Sequence, residues 1–323
     1  MTFAKDITII IPTYKRPEDI ARALGTAVLQ KTGDYSLEII VADNDPAGSA
    51  HDLVHEIMAA HSHVELIYTH VPEPGVSNAR NGALALARGR YLIFLDDDME
   101  ANEDWAYELV SGAERFDSAI VFGPVEAVMP DGDDPLYPHM QPLFSRTGDF
   151  PEGHIDKTFG TGGCLIDRGR CRLPVPVFDP SLNETGGEDD VMFAYILAQG
   201  ASIGWSHTAI AVEHIPPHRS TPSYVWKRNF AFGQGPSQTA ADDGVKGIPG
   251  VIKWMGVGVV QCVLYGVQYA MRRTIGRADY IKSYARLSQG IGKVLWFSGF
   301  SPRLYGGNAP TATTARPNSG NLA

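Results

Sequence analysis

Cysteine is scarce: Cys164, Cys171 and Cys262 are the three in 323 residues, and none stand at C-x-x-C spacing. An odd count without that spacing argues against a disulfide framework or a zinc ribbon and for a reducing compartment. Basic charge is also in deficit, with 27 Lys and Arg against 37 Asp and Glu and a net charge of −10. A generic nucleic-acid binder carries the opposite balance, so no nucleic-acid partner is expected. No Gly-x-Gly-x-x-Gly follows the first apolar run and no Gly-x-x-x-x-Gly-Lys-Ser/Thr occurs. A Rossmann dinucleotide site and a P-loop are both disfavoured. His51 and His55 stand four apart, but Asp52 follows the first where a zincin carries glutamate; both, with His61 and His63, are expected on the surface. Met1 to Asp6 has neither the basic start nor the apolar core of a secretory signal, which leads us to expect a cytoplasmic protein. Apolar residues are plentiful, at 44% hydrophobic against 20% charged. That composition supports a buried core, and the length fits one large α/β domain or two units.

The first hundred residues alternate strand and helix signals. Ile7 to Ile11 reads as a buried strand ended by Pro12. Pro17 opens a helix in which Ile20, Ala23, Leu24, Ala27 and Val28 recur at helical spacing. Leu37 to Ala42 is a second strand before the Asp43-Asn44-Asp45-Pro46 turn, and a helix covers Ser49 to Ala60. Val64 to Thr69 is a third strand, Ser77 is placed to cap a helix through Asn78 to Ala87, and Tyr91 to Leu95 is a fourth strand. This order predicts a mainly parallel sheet with helices on both faces, whose ligands bind beyond the carboxyl ends of the strands. Asp43 and the run Asp96-Asp97-Asp98 lie at such ends. Three successive carboxylates repel one another, and a hard divalent cation shared with substrate phosphates relieves that repulsion.

Four segments, Ile11-Pro12-Thr13-Tyr14-Lys15-Arg16, Val41-Ala42-Asp43-Asn44, Ser77-Asn78-Ala79-Arg80-Asn81 and Phe94-Leu95-Asp96-Asp97-Asp98, together resemble family 2 glycosyltransferases. The resemblance covers roughly residues 5 to 235 and implies the GT-A nucleotide-sugar fold. It implies a nucleotide-diphospho-sugar donor, usually with uridine, bound by Pro12, Thr13, Tyr14, Arg16, Asp43, Arg80, Asp96 and Asp97. Asp43 would meet the uracil, Asp96 the ribose, and Asp98 would hold Mn²⁺ or Mg²⁺ against the diphosphate.

The middle third supplies the acceptor side. Phe159 to Ile166 is a glycine-rich turn entering a strand, and Gly162 and Gly163 permit close approach to a sugar. Gly186-Gly187-Glu188-Asp189-Asp190 precedes apolar residues at helical spacing, so its acids occupy a first helical turn, where the helix dipole favours them. By likeness to inverting GT-A enzymes, Asp189 is the general base, and Gly187, Glu188 and Asp190 contact acceptor hydroxyls. His214 ends a predicted strand where related enzymes place a further metal or diphosphate ligand. Trp226 to Phe230 resembles segments that close over the donor, with Arg228 as the clamp. A Gln-x-x-Arg-Trp motif of processive synthases does not occur, so one sugar per encounter is expected. The acceptor is expected to be a sugar or a lipid-linked glycan in bacterial polysaccharide assembly. A sugar-nucleotide nucleotidyltransferase and a non-catalytic nucleotide-sugar binder are the alternatives. The first usually has a Gly-x-Gly-x-Arg loop, which does not follow Ile11.

The chain divides into a transferase domain at 1–240, basic apolar C-terminal helices at 246–300 and a flexible tail at 301–323. From Lys246 to Arg303 nine basic residues face one acid, Asp279. Trp254 to Met271 holds 18 uncharged residues, about 27 Å of helix at ~1.5 Å per residue, just short of a ~30 Å hydrocarbon core. Ile281, Tyr284, Leu287, Ile291 and Val294 form a stripe that Arg277, Lys282, Arg286 and Lys293 largely avoid. This suits an amphipathic helix lying on anionic lipid, and hence peripheral contact with the inner face of the cell membrane; a true span by 254–271 and packing in the core or against another copy are the alternatives.

Overall fold

The computed structural model describes residues 2–148, 150–183, 186–242, 244–300 and 302. Its first half alternates β1 (Lys5–Thr13), α1 (Pro17–Ala27), β2 (Leu37–Asp43), α2 (His51–Ala60), β3 (Glu65–His70), α3 (Val76–Leu84) and β4 (Gly89–Phe94). Next come β5 (Met99–Ala101), α4 (Trp105–Arg115), β6 (Ile120–Phe122), β7 (Val125–Val128), α5 (Tyr137–Phe144), β8 (Gly153–Ile155) and β9 (Cys164–Asp167). The chain continues through α6 (Glu188–Leu197), β10 (Ile203–Trp205), β11 (Ala211–His214), α7 (Pro222–Asp242), α8 (Ile248–Thr274) and α9 (Tyr280–Val294).

The main sheet has the order β3-β2-β1-β4-β9-β6-β10-β8. Its strands run parallel except β9, which is antiparallel to β4 and β6, and β8, antiparallel to β10. β1 carries almost continuous isoleucine because both of its faces are covered. Ile7, Ile9 and Ile11 join α1, α2 and α4 in one core, while Ile10 joins α3 and α6 in the other. A smaller sheet, β5-β11-β7, continues from the site end.

The expected strands and helices of the first half are present, with ends shifted by one to three residues. Ser77 does not cap its helix. Gly75 is the N-cap of α3 at φ 143°, and the free Ser77 amide donates to Asn183 Oδ1 at 2.9 Å. The cap comes from a residue 106 positions away, so no local spacing could reveal it.

At the other end α7, α8 and α9 form a three-helix unit. This unit begins at Pro222, inside the segment expected to be the transferase domain, and it is not separate. Ile281 and Ala285 of α9 share a core with Met140 and Phe144 of α5 and Val225 of α7. The stripe expected to face lipid is turned inward: Ile281 is fully buried and Tyr284, Leu287, Ile291 and Val294 are half-buried. The amphipathic pattern records packing between two helices. Apart from Pro302, the tail expected at 301–323 lies outside the described residues.

Candidate active site

The acidic run leaves the end of β4, as the strand order requires. Asp96 is its open member, with a third of its side chain exposed. Asp97 and Asp98 turn inward. Thr13 Oγ1 donates to Asp97 at 2.9 Å, and Arg16 Nη1 bridges Asp97 at 2.9 Å and Asp98 at 3.1 Å. Arg219, on the loop after β11, adds a second cation 3.5 Å from Asp98. Burial pushes Asp97 up to about 7 despite Arg16, and burial with Asp96 beside it also raises Asp98.

Arg80 joins this run to α6. Its Nη1 donates to Glu188 Oε1 and Asp189 Oδ1, both at 2.9 Å, and Nη2 reaches Asp96 Oδ1 at 3.5 Å. Burial opposes the guanidinium charge, but Asp189, Asp96 and Glu188 outweigh it and raise the Arg80 pKa. Glu188 is itself raised by burial and by Asp189 beside it.

The glycine-rich turn threads between these groups. Thr161 holds Asp189 twice, its amide on Oδ2 and its hydroxyl on Oδ1, each at 3.0 Å. A Cβ on Gly162 would collide with Asp96 Oδ2, so any larger residue there must push the acid aside. Gly163 sits at φ 74°. Buried Arg146 fastens the turn, donating to the carbonyls of Gly162 at 3.0 Å, Gly163 at 2.9 Å and Gly123 at 3.0 Å. With carbonyls as its hydrogen-bond acceptors, burial dominates and lowers Arg146 to about 10.

Other expected residues lie elsewhere or play other parts. Asp43 has no exposed surface; its carboxylate accepts from the amides of Asp45 and Ala50 and from Tyr68 Oη, at 3.0, 2.8 and 3.0 Å. It holds the loop after β2 and leaves no face for a base in this conformation. Pro12 is half-buried beside Ala42, while Tyr14 is 44% exposed at the rim with Lys15 over its ring. Gly187 and Asp190 are exposed at the start of α6. Arg228 turns to α5, donating to the Leu143 carbonyl at 2.8 Å between the Phe144 and Phe232 rings.

His214 ends β11 as expected, and its amide donates to the Asp98 carbonyl at 2.8 Å. Its imidazole instead meets Glu100, Nε2 to Oε1 at 2.6 Å. Side chains alternate along a strand, so the neighbour Glu213 takes the opposite face. There burial and the nearby Asp98 push Glu213 up to about 7. Among the described residues no three His, Cys, Asp or Glu side chains are gathered to hold a metal ion by themselves. The donor set still fits a hard cation, since its ligands are carboxylate oxygens, and burial raises Asp98 and Glu213 among them. Such ions commonly take one or two carboxylates and complete their shell with substrate phosphates. Thr161, Arg146, Glu213 and Arg219 were missed from sequence. Thr161 lies inside a motif that was noticed, and Glu213 adjoins a histidine that drew attention first.

The sequence profile described as Glycosyl transferase family 2 matches residues 8–169, half of the chain. The chain belongs to glycosyl transferase family 2. This family 2 transferase is 33% identical over 235 residues to the succinoglycan biosynthesis protein ExoM of Rhizobium meliloti (strain 1021), covering 71% of this chain and 73% of the relative. In structure it resembles the mannosyltransferase PcManGT from Pyrobaculum calidifontis, solved with GDP-Man and Mn²⁺ (TM-score 0.59, 17% identity, 92% of this chain and 91% of that one). It also resembles S. aureus TarS 1-349 in complex with UDP (TM-score 0.51, 14% identity, 89% and 90% covered). The transferase therefore has the GT-A fold.

Proposed function

We propose that this transferase moves a sugar from a nucleotide-diphospho-sugar, with a UDP-sugar as the first candidate, to a hydroxyl of a sugar or lipid-linked glycan, inverting the anomeric centre. One observation carries the reading: Arg80 ties Asp96 of the acidic run and Asp189 of α6 into a single ion-pair cluster. The carboxylates expected on the donor and acceptor sides therefore belong to one ion-pair cluster, beside the Gly162–Gly163 turn.

The donor diphosphate lies against the acidic run, with Asp98 and Asp96 as the residues that would hold Mn²⁺ or Mg²⁺ and Glu213 facing them. When bound, that ion neutralises charge developing on the departing diphosphate. Arg16 and Arg219 already lie on Asp98 and are placed to turn toward phosphate oxygens. Asp189 receives the proton of the acceptor hydroxyl. An ionised carboxylate offers about four lone-pair sites, and Arg80 and Thr161 take three here, leaving one lobe open. The same three bonds fix which way that lobe points. The acceptor oxygen attacks the anomeric carbon from the face opposite the diphosphate, so one displacement inverts it. Glu188, Asp190 and the Gly162–Gly163 turn line the acceptor side. We place the enzyme at the cytoplasmic face of the membrane, where a lipid-linked acceptor would be met.

The test is a panel of nucleotide sugars with Mn²⁺ or Mg²⁺ and lipid extracts, reading nucleoside diphosphate release. Release that requires donor, ion and acceptor together supports the reading. Donor binding without release under every condition overturns it in favour of a non-catalytic binder.

A further inference from the structure

Among the described residues, α8 carries a long run of exposed apolar side chains. Its 27 residues make a helix long and apolar enough to cross a membrane, yet little of its apolar stretch is buried. Ile252, Val259, Val260, Val263, Val267 and Met271 are all exposed, and at ~3.6 residues per turn they fall on one side.

The opposite side of α8 is fastened to α9 along its length. A Cβ on Gly258 would stand 2.7 Å from the Gly290 carbonyl, Gln261 Nε2 donates to the Arg286 carbonyl at 2.8 Å, and Tyr269 packs on the Tyr280 and Tyr284 rings. α9 is fastened in turn to α7: Ser288 Oγ donates to the Trp226 carbonyl at 2.7 Å and Ser237 Oγ to the Lys293 carbonyl at 2.9 Å. α9 is thus the middle layer, and it exposes Lys282 and Arg286. If α8 crossed a bilayer it would either abandon α9 or carry those charges into hydrocarbon, which is costly. Basic residues also flank the apolar face, with Lys246 and Lys253 near its start and Arg272, Arg273 and Arg277 near its end. Asp279, the one acid there, is paired with Arg272 and Arg277. The occupant that matches an apolar strip in a cationic frame is an anionic lipid surface.

We propose that α8 lies in the plane of an anionic membrane, its Ile252–Met271 face in the headgroup boundary, and that α9 and α7 carry that anchorage to the catalytic domain. The proposal deepens the membrane-side reading above and rests on it for the identity of the partner, while its test does not depend on sugar transfer.

The full chain is floated with vesicles of phosphatidylglycerol and phosphatidylcholine in equal parts, and with phosphatidylcholine alone. The substitutions are Val260→Glu with Val263→Glu, and separately Met271→Glu; all three side chains are exposed, and circular dichroism checks the fold. We expect binding to the anionic vesicles that falls roughly tenfold or more in the double variant and weakens with salt. Equal flotation of wild type and both variants overturns the proposal. So does retention in the membrane after alkaline carbonate extraction, which would mean that α8 spans. A dimer broken by the same substitutions, with no vesicle binding, overturns it in favour of a second copy as the occupant. If nucleoside diphosphate release fails while the vesicle result holds, the transfer reading falls and this one stands.

Discussion

Replacing Arg80 with methionine removes a fully buried cation from between three carboxylates, Asp96, Glu188 and Asp189. Methionine fills similar volume and packs on Phe178, which the guanidinium now covers at 5.2 Å. The loss is therefore electrostatic rather than a cavity. Breaking a buried pair by removing one partner costs about 3–5 kcal/mol, because the other charge is left uncompensated. Asp189 keeps two bonds from Thr161 and Asp96 is partly solvated, so the weight falls on Glu188, whose side chain is 9% exposed. The cost should then depend on pH. Glu188 already titrates above its ordinary range, and without Arg80 its folded pKa climbs further above the unfolded one. The folded variant binds more protons than the unfolded chain through that window, so its stability falls as pH rises and recovers on acidification. Urea unfolding of wild type and Arg80→Met at pH 5 and pH 8 measures both quantities. We expect a deficit of about 3–5 kcal/mol at pH 8, shrinking at pH 5. A deficit below about 1 kcal/mol, or one equal at both pH values, would show that Arg80 does not balance these acids.

Further expectations follow from the same geometry. Asp189→Asn should preserve donor affinity in calorimetry while lowering turnover ~10²–10⁴-fold; near-normal turnover would assign the base elsewhere. Gly162→Ala forces Asp96 aside and should weaken donor binding in calorimetry, with the far-ultraviolet spectrum unchanged; unaltered affinity would separate Asp96 from the donor. Burial pushes Asp97 and Glu213 each up to about 7. The ion-free fold should therefore lose stability from about pH 4 to pH 7, and Mn²⁺ should raise the melting temperature more at pH 8 than at pH 5. If Glu213 rather than His214 faces the ion, Glu213→Gln will alter the Mn²⁺ titration of activity more than His214→Ala, and the reverse order would restore the histidine.

The sheet was legible because both faces of β1, β2 and β4 are covered, which writes unbroken apolar runs such as Ile7 to Ile11 into the sequence. The acidic run and the start of α6 were legible because each is a local cluster at an element boundary. What local spacing could not carry was pairing at distance: Asn183 capping α3, Arg146 gripping the glycine turn, and Arg80 meeting α6 instead of only lining a nucleotide pocket. His214 drew attention for its residue type, yet strand alternation alone sends the neighbouring Glu213 to the opposite face. The α9 stripe misled for a related reason. Amphipathicity records a covered face without saying what covers it, and here another helix does.

The cluster's charge explains why arginines and carboxylates are so densely interleaved before any substrate arrives. Asp96, Asp97, Asp98, Glu188, Asp189 and Glu213 converge there, against Arg16, Arg80 and Arg219 as ion-pair partners or near neighbours. Such an excess of acid would repel an anionic diphosphate outright, so the acids cannot be the attractive part of the donor site by themselves. In the proposed reading, a divalent cation held by Asp96 and Asp98 would supply the positive charge that this balance lacks, and Arg16 and Arg219 lie on Asp98 where phosphate oxygens would come. Arg80 is differently placed: it is buried and held by carboxylates from two segments, Asp96 after β4 and Glu188 and Asp189 of α6. Arg16 and Arg219 thus stand with the acidic run, whereas Arg80 fixes the orientation of Asp189 on the α6 side.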